Sequence, residues 1–572
     1  MKILLLSIIS CLLAIYAVSV TAQTTANRSV SDVIEEVLTQ LPAQQLHIYH
    51  QLFQSLVETG TEGVTQLVNM MNVSGKGDNS IIAYALSGMA FFASDDQILK
   101  NIVEQAFIAS LDATDEPEIK AFLIPLLGII GSDDGVHKLA GYLSDEHLCS
   151  SAVSAINSIG GEEASKTLQT TLMNRISLTP ESERSIIQAL GDVMPVVDGT
   201  ESLLLTIMNT KDITTKGVVL KALSKTGSKL SLSDLAAAAN ATGYCVESTG
   251  ANDAYIRLIK RVYEQGDTKE AMAAAQNLMK NATHAGSSHI RAAVLEILFN
   301  NQKDFLKTLR SALKDGDITF RNAALKFASD YADKTIYTDL LKSLPKAKPE
   351  VKIDVLNWIG NEAQSPEKKQ IIKTIETGIE KTGLQTLMQL LNDSDVGVKQ
   401  ATVRTLGVIG DPSTLPALTD LLKNNDIRIL SLLKDVLEAF PSDIFTDLVK
   451  CVSQASNEGK IIIMELLSAR KANAYFTLVL DQTKSSNPYV VEAAFKILKD
   501  VASEKDFIIL CGMLETANLS FVAPLQLAIS ASIASLTPEK QMEMIKNRML
   551  QAGDSKEHLY YPVLSSLGYA LP

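Results

Sequence analysis

"GVKQATVRTLGVIGDPSTLPALTDLLKN", residues Gly397 to Asn424, carries two apolar helical stripes separated by a Gly-Asp-Pro turn. Val398, Ala401, Leu406 and Ile409 fall near the spacing that puts apolar side chains on one helix face. Gly410 suits the left-handed conformation that ends a helix. Asp411 or Ser413 can cap the next one, and Pro412 and Pro416 fall where missing amide donors cost little. Leu415, Leu418, Leu421 and Leu422 then form a second stripe, so the stretch predicts a tightly turned αα-hairpin.

The hairpin is rewritten along the chain. Its basic anchor, Lys399 in "VKQA", recurs as Lys120 in "IKAF", Arg184 in "ERSI", Lys216 in "TKGV" and Arg291 in "IRAA". It continues as Arg321 in "FRNA", Lys352 in "VKID", Arg428 in "IRIL" and Lys460 in "GKII". Cys149 and Glu492 occupy the same place in two further units, and Arg257 marks a middle unit between Lys216 and Arg291. The period is about 30 residues, the sequence signature of stacked helix pairs that bury their stripes against one another. The longer step from Lys352 to Lys399 predicts an inserted helix over "KKQIIKTIETGIEKTG", residues 368–383.

These units resemble the short HEAT-like repeat. The resemblance rests on the aspartate turn, the Val-basic helix start and the Leu-Gly-x-Ile-Gly-Asp exit, which returns as "LGIIGSDDG" (Leu127 to Gly135) and "INSIGGEEA" (Ile156 to Ala164), with "WIGNEAQ" (Trp358 to Gln364) as a reduced form. It implies an all-α, right-handed α-solenoid over residues 79–536. Residues 23–78 and 537–572 are then expected to be helical caps. A composition 46% apolar with 16 prolines agrees with an all-α chain. "NATGYCVESTGAND" (Asn240 to Asp253) and "PKAKPE" (Pro345 to Glu350) read as loops.

Residues 1–22 read differently. Lys2 precedes "ILLLSIISCLLAIYAVSV", and Val20-Thr21-Ala22 offers small residues before Gln23. That is the form of a cleaved secretory signal, with a membrane anchor as the alternative. "IISC" around Cys11 makes a poor lipobox. An exported chain, periplasmic or extracellular, is expected. Cys149, Cys245, Cys451 and Cys511 are too far apart in sequence for the close pairs of zinc or redox sites, and Cys149 and Cys511 read as small buried hydrophobes.

The net charge of −13 argues against nucleic acid, which rewards dense basic patches. The recurring anchors are expected to pair with acids of the preceding turn, Asp395 for Lys399 and Asp317 for Arg321, rather than to form a basic ladder. His47 and His50 share a helix face but lack an evident third metal ligand. "GKGDNS" (Gly75 to Ser80) lacks the glycine spacing of a phosphate loop, and "KDGDITF" and "NDSDVG" lack the glycine and glutamate of a calcium loop. The sequon Asn72-Val73-Ser74 matters only in a glycosylating host. No catalytic constellation, cofactor site or metal site is expected.

Two function classes remain. One is a non-catalytic scaffold gripping a protein partner along a concave face lined by the anchor helices, with Asn322, Asp354, Gln400, Arg404 and Lys434 as outward-looking candidates. The other is a helper in an envelope carbohydrate-processing system. "LVETGTEGVTQLVNMMNVSGKGDNSIIAYALSGMA" (Leu56 to Ala90) resembles the start of large secreted bacterial proteins in which such an array precedes a sugar-cleaving domain. With 5% aromatics and one tryptophan, Trp358, the array has few platforms for sugar stacking.

Overall fold

The computed structural model describes residues 28–72, 77–174, 178–210, 212–283, 286–300, 305–378 and 381–569. Residues 1–22, where a secretory signal is expected, lie outside them with Cys11, as do Val73 and Ser74 of the sequon. The chain divides into two compact units, the first ending at Leu298 and the second beginning at Phe299.

The opening hairpin forms as its residues dictate. Asp395 caps the helix Val396–Ile409 by accepting from the Val398 amide at 3.0 Å. Gly410 ends it with φ +62°, where a side chain would be strained. Asp411 accepts from the Ser413 amide at 2.9 Å and starts a 3-10 turn, which leads into Leu415–Asp420. Val398, Ala401, Leu406, Ile409, Leu415, Leu418 and Leu422 are buried, and Leu421 is half-buried.

In each unit the first helices of successive pairs stack on one another. The first unit runs Leu46–Glu58, Ser80–Ala93, Pro117–Ile130, Cys149–Ile159, Pro180–Asp192, Ile213–Thr226 and Ala251–Glu264, each packed on the next. Its apolar core is continuous from Ile34 to Leu298. The second unit runs Ile318–Ser329, Pro349–Glu362, Val396–Ile409, Ile427–Glu438, Asn457–Ala469, Pro488–Val501 and Leu519–Ile533, again each on the next. One pair cannot bury both of its stripes, so the neighbouring pair completes the core. Both units are therefore stretches of α-solenoid.

The exit motif explains how closely the pairs stack. A Cβ on Gly128 would stand 2.9 Å from the Ala155 Cα, and one on Gly191 would stand 2.8 Å from the Ala222 Cα. Glycine is needed there because the neighbouring backbone occupies the space. Carboxylates then lock the following turn, one buried at Glu104 and one half-buried at Glu201. Glu104 accepts from the Ser132 amide at 2.6 Å and the Gly135 amide at 3.0 Å, and Glu201 accepts from the Ser228 amide at 2.8 Å.

The insertion between Lys352 and Lys399 is only half helical. Pro366–Thr374 is a helix, but Glu376–Gly378 and Lys381–Thr382 form a small antiparallel strand pair before the helix Gly383–Gln389. The β-branched and glycine residues of "TIETGIEKTG" turn the chain there rather than prolong the helix. Pro349–Glu362 still packs directly on Val396–Ile409, so the insert leaves the stack intact. Its lysines hold the next helix exit: Lys369 Nζ donates to the Val408 carbonyl at 3.0 Å, and Lys373 pairs with Asp411 at 2.5 Å.

The loops also carry more structure than expected. "PKAKPE" contains the end of a 3-10 turn and the first residues of a helix. The Asn240–Asp253 segment is fixed by Glu247, whose carboxylate accepts from the Thr249 and Ala251 amides at 2.5 and 2.8 Å. Among the described residues no helix is long and apolar enough to cross a membrane.

Candidate interaction surface

Of the basic anchors of the second unit, Arg428 pairs with the preceding turn as expected, at 2.7 Å from Asp426, but Arg321 and Lys352 do not. Asp317 and Asp395 spend their carboxylates on helix capping, with Asp317 accepting from the Thr319 and Phe320 amides at 2.7 and 3.2 Å. Arg321 instead reaches forward one repeat. Its Nε donates to Asp354 Oδ2 at 2.6 Å, and its Nη1 donates to the carbonyls of Asp315 and Gly316 at 2.9 and 3.1 Å. Both side chains of the pair are 4% exposed. Lys352 repeats the device, donating to Asp393 at 2.7 Å from a largely buried position. Burial works to raise the Asp393 carboxyl, but the Lys352 ammonium, the Asp395 amide and the Lys399 charge outweigh it and hold the group below the usual range.

This corrects one site residue. Asp354 was expected to look outward; it faces the preceding helix and neutralises Arg321. The helix periodicity was right, but an acid among apolar neighbours reads as solvent-facing unless its partner one repeat away is known.

The other candidates lie on the first helices as expected and differ in freedom. Asn322 is exposed on Ile318–Ser329. Gln400 is half-buried and its amide donates to the Arg428 carbonyl at 3.3 Å, bridging adjacent pairs. Arg404, one turn further along Val396–Ile409, is exposed and makes no ion pair among the described residues. Lys434, on the neighbouring helix Ile427–Glu438, donates to Glu465 at 2.7 Å, and that hydrogen bond raises its pKa. Gln400, Arg404 and Lys434 thus come together on packed neighbours, while Asn322 stands two helices away.

The sequence reading missed a second feature of this unit. Ile318, Ile427, Tyr489 and Leu519 are exposed large apolar residues in the first turns of stacked first helices; Leu519 is 93% exposed. Ile318, Ile427 and Leu519 directly follow Asp317, Asp426 and Asn518, and Tyr489 follows Asn487 with Pro488 between. That recurrence was the available signal. An apolar residue at a helix start reads as part of the core stripe unless its exposure is known.

Residues 339–433 match the family profile described as HEAT repeats. That stretch of the array is HEAT-like. Solved structures similar to it include a Kap95:Nup1 complex (14% identity, 94% of this chain and 82% of that one, TM-score 0.39). Yeast importin-beta, Kap95p, is similar at 14% identity with the same coverages and a TM-score of 0.38. The S. pombe condensin Cnd3-Cnd2 subcomplex is similar at 13% identity over 94% of this chain and 75% of that one, with a TM-score of 0.30. Among curated proteins none matches the chain. The repeat assignment rests on the matched segment and the stacking described above.

The chemistry-bearing side chains of the array differ in exposure, with His47, His50 and Cys245 at the surface and the other cysteines and Trp358 buried. His50 meets Phe92 edge-on at 5.6 Å between ring centroids. Among the described residues no group of three or more His, Cys, Asp or Glu side chains is placed to hold a metal ion. Cys149, Cys451 and Cys511 are buried and Cys245 is exposed, all as free thiols. Burial pushes the Cys451 thiol up to about 11 and the Cys511 thiol up to about 12, so neither is a ready nucleophile. Trp358 is 6% exposed and donates its indole N–H to Ser329 Oγ at 2.8 Å, so it offers no open platform.

Proposed function

We propose that this chain is an exported, non-catalytic HEAT-like scaffold that holds a protein partner against the first helices of its second unit. The observation that carries the reading is a division of labour along those helices. Arg321, Asp354, Lys352 and Asp393 are consumed in locking repeat to repeat. Arg404 and Asn322 are left exposed on the same layer, near the weak, half-exposed Lys434–Glu465 pair. The apolar first-turn residues Ile318, Ile427, Tyr489 and Leu519 add contact area of the kind found at protein interfaces. Arrays of this type bind by surface rather than by a single pocket. The leader-like start supports export. A direct sugar-binding role for the array draws less support, because its one tryptophan is buried.

The reading is tested by crosslinking the mature chain in its native envelope and mapping the crosslinked peptides. Crosslinks to one protein, concentrated on Val396–Ile409 and Ile427–Glu438 and lost with Arg404→Glu, are expected. Crosslinks confined to the second helices of the pairs, or unchanged by Arg404→Glu, would overturn it.

A further inference from the structure

A groove in the first unit differs in chemistry from the rest of this acidic chain. A cavity of about 520 Å³ crosses three consecutive first helices, Pro180–Asp192, Ile213–Thr226 and Ala251–Glu264. Its far wall is the Ser248–Gly250 stretch of the long loop. That wall lies directly on the middle helix, since a Cβ on Gly217 would stand 3.2 Å from the Thr249 carbonyl oxygen. It is also preformed: Glu247 accepts from the Thr249 amide and hydroxyl, and the Asn252 amide donates to the Cys245 carbonyl at 2.7 Å.

Three cations line the groove, Lys221, Lys225 and Arg257, against one lining carboxylate, Asp253. Lys221 is exposed and makes no ion pair among the described residues. Lys225 pairs with Asp192 and Arg257 pairs with Asp253, and both pairs are solvent-exposed, so a ligand carboxylate can replace the internal one at small cost. Apolar surface lies beside the charges, with Val218 and Ala254 on the floor and Ile213 60% exposed at the rim. Two helix-to-helix steps make the groove roughly 16–20 Å long. That is the length of about five or six extended residues.

We infer that this groove binds an extended acidic peptide segment, a short stretch of a protein partner in which carboxylates alternate with aliphatic residues. Charge complementarity selects the acid, and the apolar floor selects a polypeptide over a bare polyanion. Nucleic acid fits worse. It gains affinity from many phosphate contacts, and a chain of net charge −13 repels a long polyanion beyond the few cations of the groove. The inference concerns a different surface from the second-unit face and stands whether or not that face is the docking site.

The test is fluorescence anisotropy of the full chain with a short labelled peptide of alternating glutamate and leucine. Saturable binding that weakens with added salt is expected. Lys221→Glu should weaken it about tenfold, since one attraction becomes a repulsion in a solvent-exposed setting. Lys221→Arg should keep it. Lys166→Glu, on the second helix Gly161–Met173, should leave it unchanged, and all three variants should melt with the parent chain because both lysines are exposed. The inference fails if binding is not saturable or if Lys221→Glu binds like the parent. It also fails if a single-stranded oligonucleotide or a heparin fragment binds as tightly as the peptide.

Discussion

Replacing Asp354 by alanine isolates the device that joins two repeats of the second unit. Arg321 would keep its bonds to the Asp315 and Gly316 carbonyls but lose its ion-pair partner among the described residues, at a site where both side chains are 4% exposed. Breaking one half of a buried pair leaves an uncompensated charge and costs about 3–5 kcal/mol. Lys399→Ala removes a half-buried lysine with no ion pair within 4 Å among the described residues, so its cost should stay below about 1 kcal/mol. A double replacement of Arg321 and Asp354 by apolar residues of similar size should cost less than Asp354→Ala alone, because no orphan charge remains. Urea unfolding followed by far-ultraviolet circular dichroism measures the three costs. Hydrogen exchange of the amides in Ile318–Ser329 and Pro349–Glu362 shows whether the loss is local, as expected of an array stabilised between neighbours. The reasoning is refuted if Asp354→Ala costs no more than Lys399→Ala, or if the double replacement is the worst of the three.

Leu406→Ala, at a fully buried position, should cost roughly 2–5 kcal/mol by the same urea assay. Gly191→Ala should destabilise more than Gly407→Ala, because the new methyl meets the Ala222 backbone in one case and the movable Val436 side chain in the other; comparing their urea midpoints decides it. The Asp393 carboxyl is depressed in the folded chain, so its contribution is complete above the ordinary carboxylate value of about 4 and is lost as pH falls through the lower folded value. Asp393→Asn should therefore lose stability at neutral pH and flatten the acid limb of a stability–pH curve. A maleimide should label Cys245 in the native chain and reach Cys149, Cys451 and Cys511 only on unfolding, as mass spectrometry of the digests would show.

The repeat and its helix ends were legible because they depend on local chemistry. Asp395, Gly410 and the stripe of Val398, Ala401, Leu406 and Ile409 need only their own helix and its caps to be read. The glycines of the exit motif were visible as a pattern, but their cause, backbone contact with the next pair at Ala155 and Ala222, is a tertiary fact. The ion pairs show the same limit. Arg321 and Asp354 are 33 positions apart, and nothing between them marks one as the other's partner. The rule that anchors pair with the preceding turn therefore chose Asp317, which local geometry had already claimed as a cap. The strand pair after Thr374 was hidden by a helical stripe that stops sooner than its apolar residues suggest. Among the candidate surface residues, Asn322 and Arg404 followed from helix periodicity alone, and Asp354 did not.

Binding through the first-helix face is tested most directly by residue-resolved protection when the native partner is present. Hydrogen exchange and carboxylate or lysine footprinting of the chain, with and without the partner that crosslinking recovers, would map the contact. The account predicts protection concentrated around Arg404, Lys434 and the exposed Ile427, with Arg404→Glu abolishing it while the melting temperature holds. Protection confined to the second helices, such as Leu415–Asp420 and Phe445–Cys451, or turnover of a sugar substrate by the chain alone, would contradict it.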